Sequence, residues 1–198
     1  ADEIAEQLRA KPELEVILLL PMAPDTVAFE NKTGPEMRFG EWLQVKAVRR
    51  LLKKADGRVG LFSLVRRAPA EPDIKGRAKA FGSGIVYPHS KVLIADEDRA
   101  IVGSANLNGR SFRMDTEAAL TWTQDAGIEA FREKLFAHHL GTGYVSGAQS
   151  PLRMWSDVAM ENVHLEPDQR RGFVVPYKLG AARRFAVIVI DIRELATV

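Results

Sequence analysis

The sequence lacks cysteine and contains no long apolar run. The absence of cysteine excludes disulfide bonds, thiol nucleophiles and thiolate metal sites. No stretch approaches the ~18 consecutive apolar residues of a membrane-spanning helix, and the apolar run at 16–20 has the length of a strand. A net charge of +2 gives no overall reason to expect a polyanionic partner. The first residues show no signal-peptide pattern.

The remaining composition is sufficient for one folded domain, because the 198 residues are 46% hydrophobic. Segments with helical and strand periodicity alternate along the chain, which predicts an α/β sandwich. We expect helices at 1–11, 36–54 and 125–140, and strands at 15–21, 58–65, 85–95, 100–104 and 116–122. The segments 21–35 and 66–84 are predicted as loops because proline and glycine punctuate them.

Positive charge is concentrated between Arg49 and Lys79. This segment contains ten Lys or Arg residues and three Asp or Glu residues. Lysine and arginine are common on protein surfaces, so this basic band is either a solvated face or a rim that attracts phosphate groups. Because of this basic band, a nucleic acid remains an alternative, less favoured partner, which the band would bind through the phosphate backbone.

The segment 86–106, VYPHSKVLIADEDRAIVGSAN, places a histidine and a lysine two residues apart. Side chains alternate along a strand, so His89 and Lys91 should point to the same face. Ser104 and Asn106 are likewise two residues apart at the end of the next predicted strand. We expect these four side chains to converge on one face of a sheet.

Two acidic residues near this segment have different expected roles. Asp96 is five residues from Lys91, so it lies on the other face or in the following turn, and it should be structural. Glu117 lies on the third predicted strand. Its carboxylate could hold the imidazole of His89 in one tautomer. Glu117 would then be the group that orients a catalytic histidine.

These residue types suit a phosphoryl group. Lys91 supplies a fixed positive charge, and Ser104 and Asn106 supply neutral hydrogen-bond donors for the nonbridging oxygens. His89 can attack phosphorus or protonate a leaving oxygen, because imidazole exchanges protons near neutral pH. Since these groups already neutralise a phosphate, the sequence predicts neither a metal ion nor a cofactor.

The pattern H-x-K-x4-D-x6-G-S-x-N resembles the signature of the phospholipase D superfamily, and it is complete here in His89, Lys91, Asp96, Gly103, Ser104 and Asn106. The segment 103–117 is also similar to bacterial phospholipase D and cardiolipin synthase-like proteins, in which an acidic residue follows on the next strand. Glu117 occupies that place. The resemblance implies that 1–141 is a phospholipase D-like catalytic half-domain with an α-β-α sandwich fold. It leaves 142–198 as a C-terminal extension of unclear role.

The resemblance further implies a phosphohistidine mechanism in which two copies of the motif meet across a pseudo-twofold axis. One histidine attacks phosphorus, and the other protonates the departing alcohol. This sequence has one copy, so the second belongs to a missing N-terminal half or to an identical partner in a homodimer. The helical start without Met favours the missing half. In two-motif relatives the C-terminal histidine is the general acid, which favours that role for His89 over that of the nucleophile.

The predicted function is therefore that of a phospholipase D-type phosphodiesterase, with a phospholipid substrate, water or an alcohol as acceptor, and peripheral contact with a membrane. A cytoplasmic or peripheral membrane location in a bacterium is expected. Three alternatives remain. They are a homodimeric nuclease of the same superfamily, a cardiolipin synthase-like phosphatidyltransferase, and a non-catalytic interaction domain that keeps the fold.

Overall fold

The computed structural model describes residues 1–106, 109–124, 126–147 and 149–186, with the backbone alone at positions 109 and 110. Helices and strands alternate along much of this part of the chain. The helices are α1 (Asp2–Ala10), α2 (Asp25–Phe29), α3 (Pro35–Ala55), α4 (Gly109–Arg113), α5 (Gly127–Leu140), α6 (Pro151–His164) and α7 (179–186). The strands are β1 (Val16–Leu19), β2 (Val59–Val65), β3 (Lys79–Ala80), β4 (Ser83–Val86), β5 (Lys91–Ala95), β6 (Arg99–Gly103), β7 (Ala119–Thr123) and β8 (Val174–Pro176).

Five strands form a sheet that is centred on β2. β1 runs parallel to β2, whereas β4 and β8 run antiparallel to it, and β3 pairs with β4. Phe62 has a partner in both β1 and β8, so these two strands pair with opposite edges of β2. Leu64 pairs with Val86 of β4 and with Val174 of β8, which puts β4 on the same edge as β1. The carboxyl ends of β1 and β4 therefore meet along this edge.

β2 is buried on both faces, which accounts for its nearly continuous apolar sequence. Because side chains alternate along a strand, Phe62 and Leu64 point to one face, where they pack in a cluster with Trp155 of α6. On the opposite face Val59 packs with Leu8 of α1 and with residues of α3. The main sheet thus lies between α1 and α3 on one side and α5 and α6 on the other, which confirms the predicted α-β-α sandwich.

The strands β5, β6 and β7 form a separate antiparallel sheet of three strands. In its register Lys91 lies opposite Gly103, and Gly103 lies opposite Ala119. At the other end of this sheet Trp122 packs on Phe131 of α5, with ring centroids 6.3 Å apart. All five residues of β7 are exposed, whereas five of the seven residues of β2 are buried.

The strand predicted at 85–95 is two strands in the structure. β4 ends at Val86 and β5 begins at Lys91, with His89 in the connection between them. Pro88 has no N–H to donate to a ladder of hydrogen bonds, which favours an interruption there. The two pieces also join different sheets, since β4 pairs with β2 and β5 pairs with β6. The prediction of one continuous strand was wrong, and His89 lies in the connection that interrupts it.

Residues beyond Gly141 pack against the main sheet. β8 pairs with β2, and α6 lies on the face of that sheet. Arg170 is 2% exposed and donates hydrogen bonds to the Ser83 hydroxyl of β4 at 2.7 Å and to the Asn162 carbonyl of α6 at 2.9 Å. A strand pairing and a buried arginine thus cross the boundary predicted after Gly141. Positions 187–198 of the predicted extension lie outside the described residues.

Candidate active site

The residues predicted to carry the chemistry meet at one end of the three-stranded sheet. His89 lies in the connection before β5, and Lys91 is the first residue of β5. Ser104 and Asn106 follow β6, and Glu117 lies two residues before β7. The register aligns the start of β5 with the end of β6 and the start of β7. These five residues therefore share one end of the sheet.

Lys91 is tied to the segment that carries the histidine. Its Nζ atom donates a hydrogen bond to the carbonyl oxygen of His89 at 2.6 Å. The imidazole of His89 stacks on Tyr87, with ring centroids 6.2 Å apart and an interplanar angle of 29°. His89 is exposed, and within the described part of the chain no side chain forms a hydrogen bond with its ring. The ring can therefore meet a ligand or a second protein unit.

Ser104 and Glu117 form a second pair at this end. The Ser104 hydroxyl donates a hydrogen bond to the Glu117 carboxylate and accepts one from the backbone N–H of Ala118 at 3.1 Å. The backbone N–H of Ser104 also donates to the Ala118 carbonyl at 2.9 Å. Glu117 is predicted to orient His89, and the bond that the structure records is the one to Ser104. A carboxylate can accept from several donors, so the pairing of His89 with Glu117 stays a prediction.

Ser111, which the sequence pattern does not single out, supports the loop after β6. Its hydroxyl accepts a hydrogen bond from the backbone N–H of Asn106 at 3.2 Å. Ser111 lies on α4 and is only 7% exposed, whereas Asn106 is exposed. The bond fixes the backbone that presents the Asn106 amide. A serine five residues after an asparagine carries no signal of its own, so the sequence alone could not reveal this contact.

Two further residues of the motif have positions that explain their type. A Cβ atom at Gly103 would lie 2.7 Å from the Ala118 carbonyl oxygen and 2.8 Å from the Ala119 Cβ, so the close approach of this neighbouring segment requires glycine.

Asp96 lies in the turn between β5 and β6 with a φ of 53°. Aspartate tolerates this left-handed conformation better than most residues. Five residues of a strand span about 16 Å, so Asp96 is remote from Lys91.

Among the predicted site residues, the charged groups are the Lys91 ammonium and the Glu117 carboxylate, with the imidazole of His89 nearby. Among the described residues, no group of three or more His, Asp or Glu side chains is arranged to hold a metal ion. A phosphate at this end would be met by the lysine and the Asn106 amide, because the single O–H of Ser104 is donated to Glu117. The described helices include none that is long and apolar enough to cross a membrane.

Comparison with known proteins gives a consistent set of relatives. The sequence profile described as "Cardiolipin synthase, PLD-like domain" matches residues 48–139. Phospholipase D gamma 2 of Arabidopsis thaliana is 30% identical over 100 residues, which cover 43% of this chain and 12% of that protein. Phospholipase D delta of the same organism is 25% identical over 173 residues, which cover 70% of this chain and 20% of that protein. Cardiolipin synthase A of Pseudomonas aeruginosa is 41% identical over 71 residues, which cover 34% of this chain and 14% of that protein.

The chain spans a small part of the relatives that it matches, between 12% and 22% of their length. The segment that matches the family profile begins within α3 and ends within α5. It therefore includes every residue of the motif, from His89 to Asn106, and also Glu117. The profile and these relatives all represent the phospholipase D superfamily, so residues 48–139, which carry the motif, are a phospholipase D-like segment.

Proposed function

We propose that the chain supplies one of the two catalytic motifs of a phospholipase D-type phosphodiesterase that acts on phospholipid head groups. The observation that carries this proposal is the grouping of His89, Lys91, Ser104, Asn106 and Glu117 at one end of the three-stranded sheet. The group combines an imidazole, a fixed cation and neutral donors, which phosphoryl transfer requires. The names of the relatives, phospholipases D and cardiolipin synthases, support a phospholipid substrate.

In the first half-reaction, one histidine attacks phosphorus, and the bond between phosphorus and the head-group oxygen breaks. The second histidine gives a proton to that oxygen, so the head group leaves as an alcohol. We assign the proton transfer to His89 and the attack to the histidine of the partner motif. Lys91 and the amide of Asn106 stabilise the charge on the nonbridging oxygens.

In the second half-reaction, water or another alcohol attacks the phosphohistidine. His89, now neutral, takes the proton of the attacking hydroxyl, and the bond between phosphorus and nitrogen breaks. Water yields phosphatidic acid, whereas an alcohol yields a phosphatidyl alcohol. The Glu117 carboxylate, held by Ser104, orients the imidazole of His89 for both steps.

The mechanism needs two histidines with different tasks, and this chain has one copy of the motif. We assign the second copy to another unit, which is either a further segment of a longer protein or a second copy of this chain. Exposed apolar side chains around the three-stranded sheet support a paired surface there. Leu120 is 70% exposed, Phe112 66% and Met114 83%. Large apolar side chains that remain exposed are common in surfaces that contact another protein unit.

A second candidate is the transfer of a phosphatidyl group to an alcohol instead of hydrolysis. It is favoured by the match of 48–139 to the cardiolipin synthase profile and by the 41% identity with a cardiolipin synthase. Both reactions share the phosphohistidine and differ in the nucleophile that resolves it. The ratio of the two products therefore distinguishes them.

Product analysis tests the proposal. The chain is incubated with phosphatidylcholine vesicles, with and without ethanol, while sedimentation measures its oligomeric state. We expect an inactive monomer, activity when a second unit with the motif is present, and phosphatidylethanol besides phosphatidic acid when ethanol is added. A fully active monomer would contradict the requirement for two motifs. Cleavage of DNA without cleavage of lipid would favour the nuclease, and cleavage of neither by paired units would favour the interaction domain.

A further inference from the structure

The side of α3 that points away from the protein core carries apolar and cationic side chains in a row. Residues three, four and seven positions apart lie on the same side of a helix. The buried side of α3 includes Glu41, Val45, Val48 and Ala55. The residues on the opposite side define the outward face of α3, and they are Phe39, Trp42, Leu43, Lys46, Arg49, Arg50 and Lys53. Four of these seven residues are cations, and none is acidic.

The outward face is apolar in the first three turns of α3. The rings of Phe39 and Trp42 stack, with centroids 5.7 Å apart. Leu43, beside them, is 46% exposed. The Nζ atom of Lys46 lies 5.0 Å from the centroid of the Trp42 ring, so the lysine side chain extends over the aromatic pair. Aromatic rings next to the aliphatic part of a lysine suit a boundary between water and hydrocarbon.

The later turns of the outward face carry positive charge that is only partly neutralised within the described part of the chain. Arg50 pairs with Asp2 of α1 at 2.7 Å, and both side chains are exposed. Arg49 and Lys53 have no recorded ion pair or hydrogen bond with the other described residues. Arg58 of the same basic band, in contrast, donates to three backbone carbonyls in and after α1. The outward face therefore presents cations of the band that can meet anionic groups of a partner.

We infer that the outward face of α3 docks on a bilayer surface that contains anionic phospholipids. The negative potential of such a surface attracts the cations. Phe39, Trp42 and Leu43 gain by entering the boundary between head groups and acyl chains. A nucleic-acid backbone would match the cations but would leave Leu43 in water. The inference goes beyond the proposed function, because this binding requires no turnover.

The apolar end of the outward face lies close to the candidate active site. The same three turns of α3, through residues outside the face, line a cavity that Tyr87 also lines. Tyr87 stacks on the imidazole of His89, with ring centroids 6.2 Å apart. The width of one helix, roughly 10–12 Å with its side chains, and this cavity thus separate the outward face from Tyr87. Docking through the face keeps the motif near the phospholipid head groups.

Co-sedimentation of the full chain with vesicles tests this inference, with phosphatidylcholine alone and with equal parts of phosphatidylcholine and phosphatidylglycerol. We expect stronger binding to the mixed vesicles, and this binding should weaken as salt is added. Lys46→Gln and Lys53→Gln should each weaken it about fivefold, and Leu43→Ser roughly threefold to tenfold. Lys134→Gln and Met160→Ser are the matched controls, because both residues are exposed on helices on the other side of the main sheet. Both controls should bind like wild type.

Equal binding to the two kinds of vesicle would overturn the inference, as would the same weakening in Lys134→Gln as in Lys53→Gln. The inference would also fail if double-stranded DNA at the same phosphate concentration bound more tightly than the mixed vesicles and Leu43→Ser left both affinities unchanged. The face would then belong to a nucleic-acid site. Lys46, Lys53 and Leu43 are exposed, so their variants should fold.

Cleavage assays with the paired, complete enzyme separate this inference from the proposed function. The variants of the outward face should lower cleavage of phospholipid in mixed vesicles and leave cleavage of a monomeric short-chain phospholipid unchanged. If the short-chain lipid is cleaved but Lys53→Gln binds vesicles like wild type, the assignment of the face fails and the function stands. If no phospholipid is cleaved while vesicle binding depends on Lys53 and Leu43, the function fails and the assignment of the face stands.

Discussion

The five-stranded sheet and the three-stranded sheet differ in how much of their surface is covered. In the first, Val65, Val174 and Val175 are 0% exposed, whereas in the second Leu93 is 49% and Trp122 41% exposed. Burial of apolar surface contributes about 25 cal/mol per Å² to folding, so most of the folding free energy should come from the five-stranded sheet. The reactive polar groups lie on the sheet on which folding depends less. Substitutions in the two sheets should therefore have different consequences.

The candidate site lies at the junction of the two sheets. The connection 87–90 leaves β4, which β2 holds, and enters β5, which begins with Lys91. His89 is thus carried by a segment anchored at one end to the covered sheet. The hydrogen bond from Lys91 to the His89 carbonyl ties that segment to the exposed sheet. This arrangement combines a fixed backbone with an accessible imidazole.

The largest expected effect is the loss of turnover in His89→Ala. The imidazole is exposed and has no recorded hydrogen bond within the described residues, so its removal should change the free energy of unfolding by less than about 0.5 kcal/mol. Loss of the proton transfer should lower turnover of the paired enzyme on the order of 10²–10⁴-fold. His164→Ala is the matched control, because His164 is exposed on α6 away from the motif. A large fall in the free energy of unfolding of His89→Ala would show that the three-stranded sheet also contributes substantially to folding.

The next largest effect is expected in the covered sheet, from Arg170→Met. Arg170 donates to the Ser83 hydroxyl and to the carbonyls of Asn162 and Phe81, so its removal leaves buried acceptors without a partner. The free energy of unfolding should fall by roughly 2–4 kcal/mol, measured by denaturant titration. Arg171→Met is the control at the next position. Its ion pair with Glu161, at 3.4 Å, is exposed and should be worth less than about 1 kcal/mol. Equal losses in both variants would contradict the role of Arg170.

Much of the covered sheet and its helices could be predicted because their signals are long and local. α3 has 21 residues, begins with Pro35 and carries an apolar stripe that includes Val45, Val48, Leu51 and Ala55. α2, in contrast, has five residues within a segment rich in turn signals, which is too short to show periodicity. The interruption between β4 and β5 was missed because apolar residues continue on both sides of it, although Pro88 is a local signal for a break. The pairing of each piece with a different strand shows the break.

The candidate site could be predicted where its residues are close in sequence. The motif residues lie within 18 positions, from His89 to Asn106, and strand alternation brings them together. The contacts that hold the covered sheet together could not be predicted in this way. Arg170 and Ser83 are 87 positions apart, and neither residue type indicates its partner. Contacts of this kind depend on the tertiary packing of β8 and α6, which no local pattern specifies.

A smaller effect is expected from pH, and it arises in the covered part of the molecule. Burial, with a further contribution from His138, lowers the pKa of His139 to about 4 from its ordinary value of 6.5. The unfolded chain therefore binds more protons between these pH values, and the free energy of unfolding should fall as the pH is lowered from about 6.5 to about 4. Since His139 is partly exposed, we expect a loss on the order of 1–2 kcal/mol. Above pH 6.5 this contribution should be constant.

Denaturant titrations across this pH range measure the effect. His139→Phe removes the titrating group and keeps an aromatic ring beside Trp155, whose centroid lies 5.9 Å away. This variant should lose the decline that His139 causes, while His164→Gln, with an exposed histidine replaced, should retain it. An unchanged decline in His139→Phe would assign the pH dependence to other groups.

The smallest expected effect concerns Asp96, the motif residue at the far end of β5. Its φ of 53° is unfavourable for a residue with a Cβ, but aspartate tolerates it through its short polar side chain. Asp96→Ala should lower the free energy of unfolding by about 0.5–1 kcal/mol, and Asp96→Gly should not. Asp98→Ala, in the same turn but without a positive φ, is the control. Turnover should be the same in all three variants, because about 16 Å of strand separates Asp96 from Lys91. If Asp96→Ala instead removed activity and left stability unchanged, both ends of the exposed sheet would take part in the chemistry, and the site would be larger than the grouping around His89.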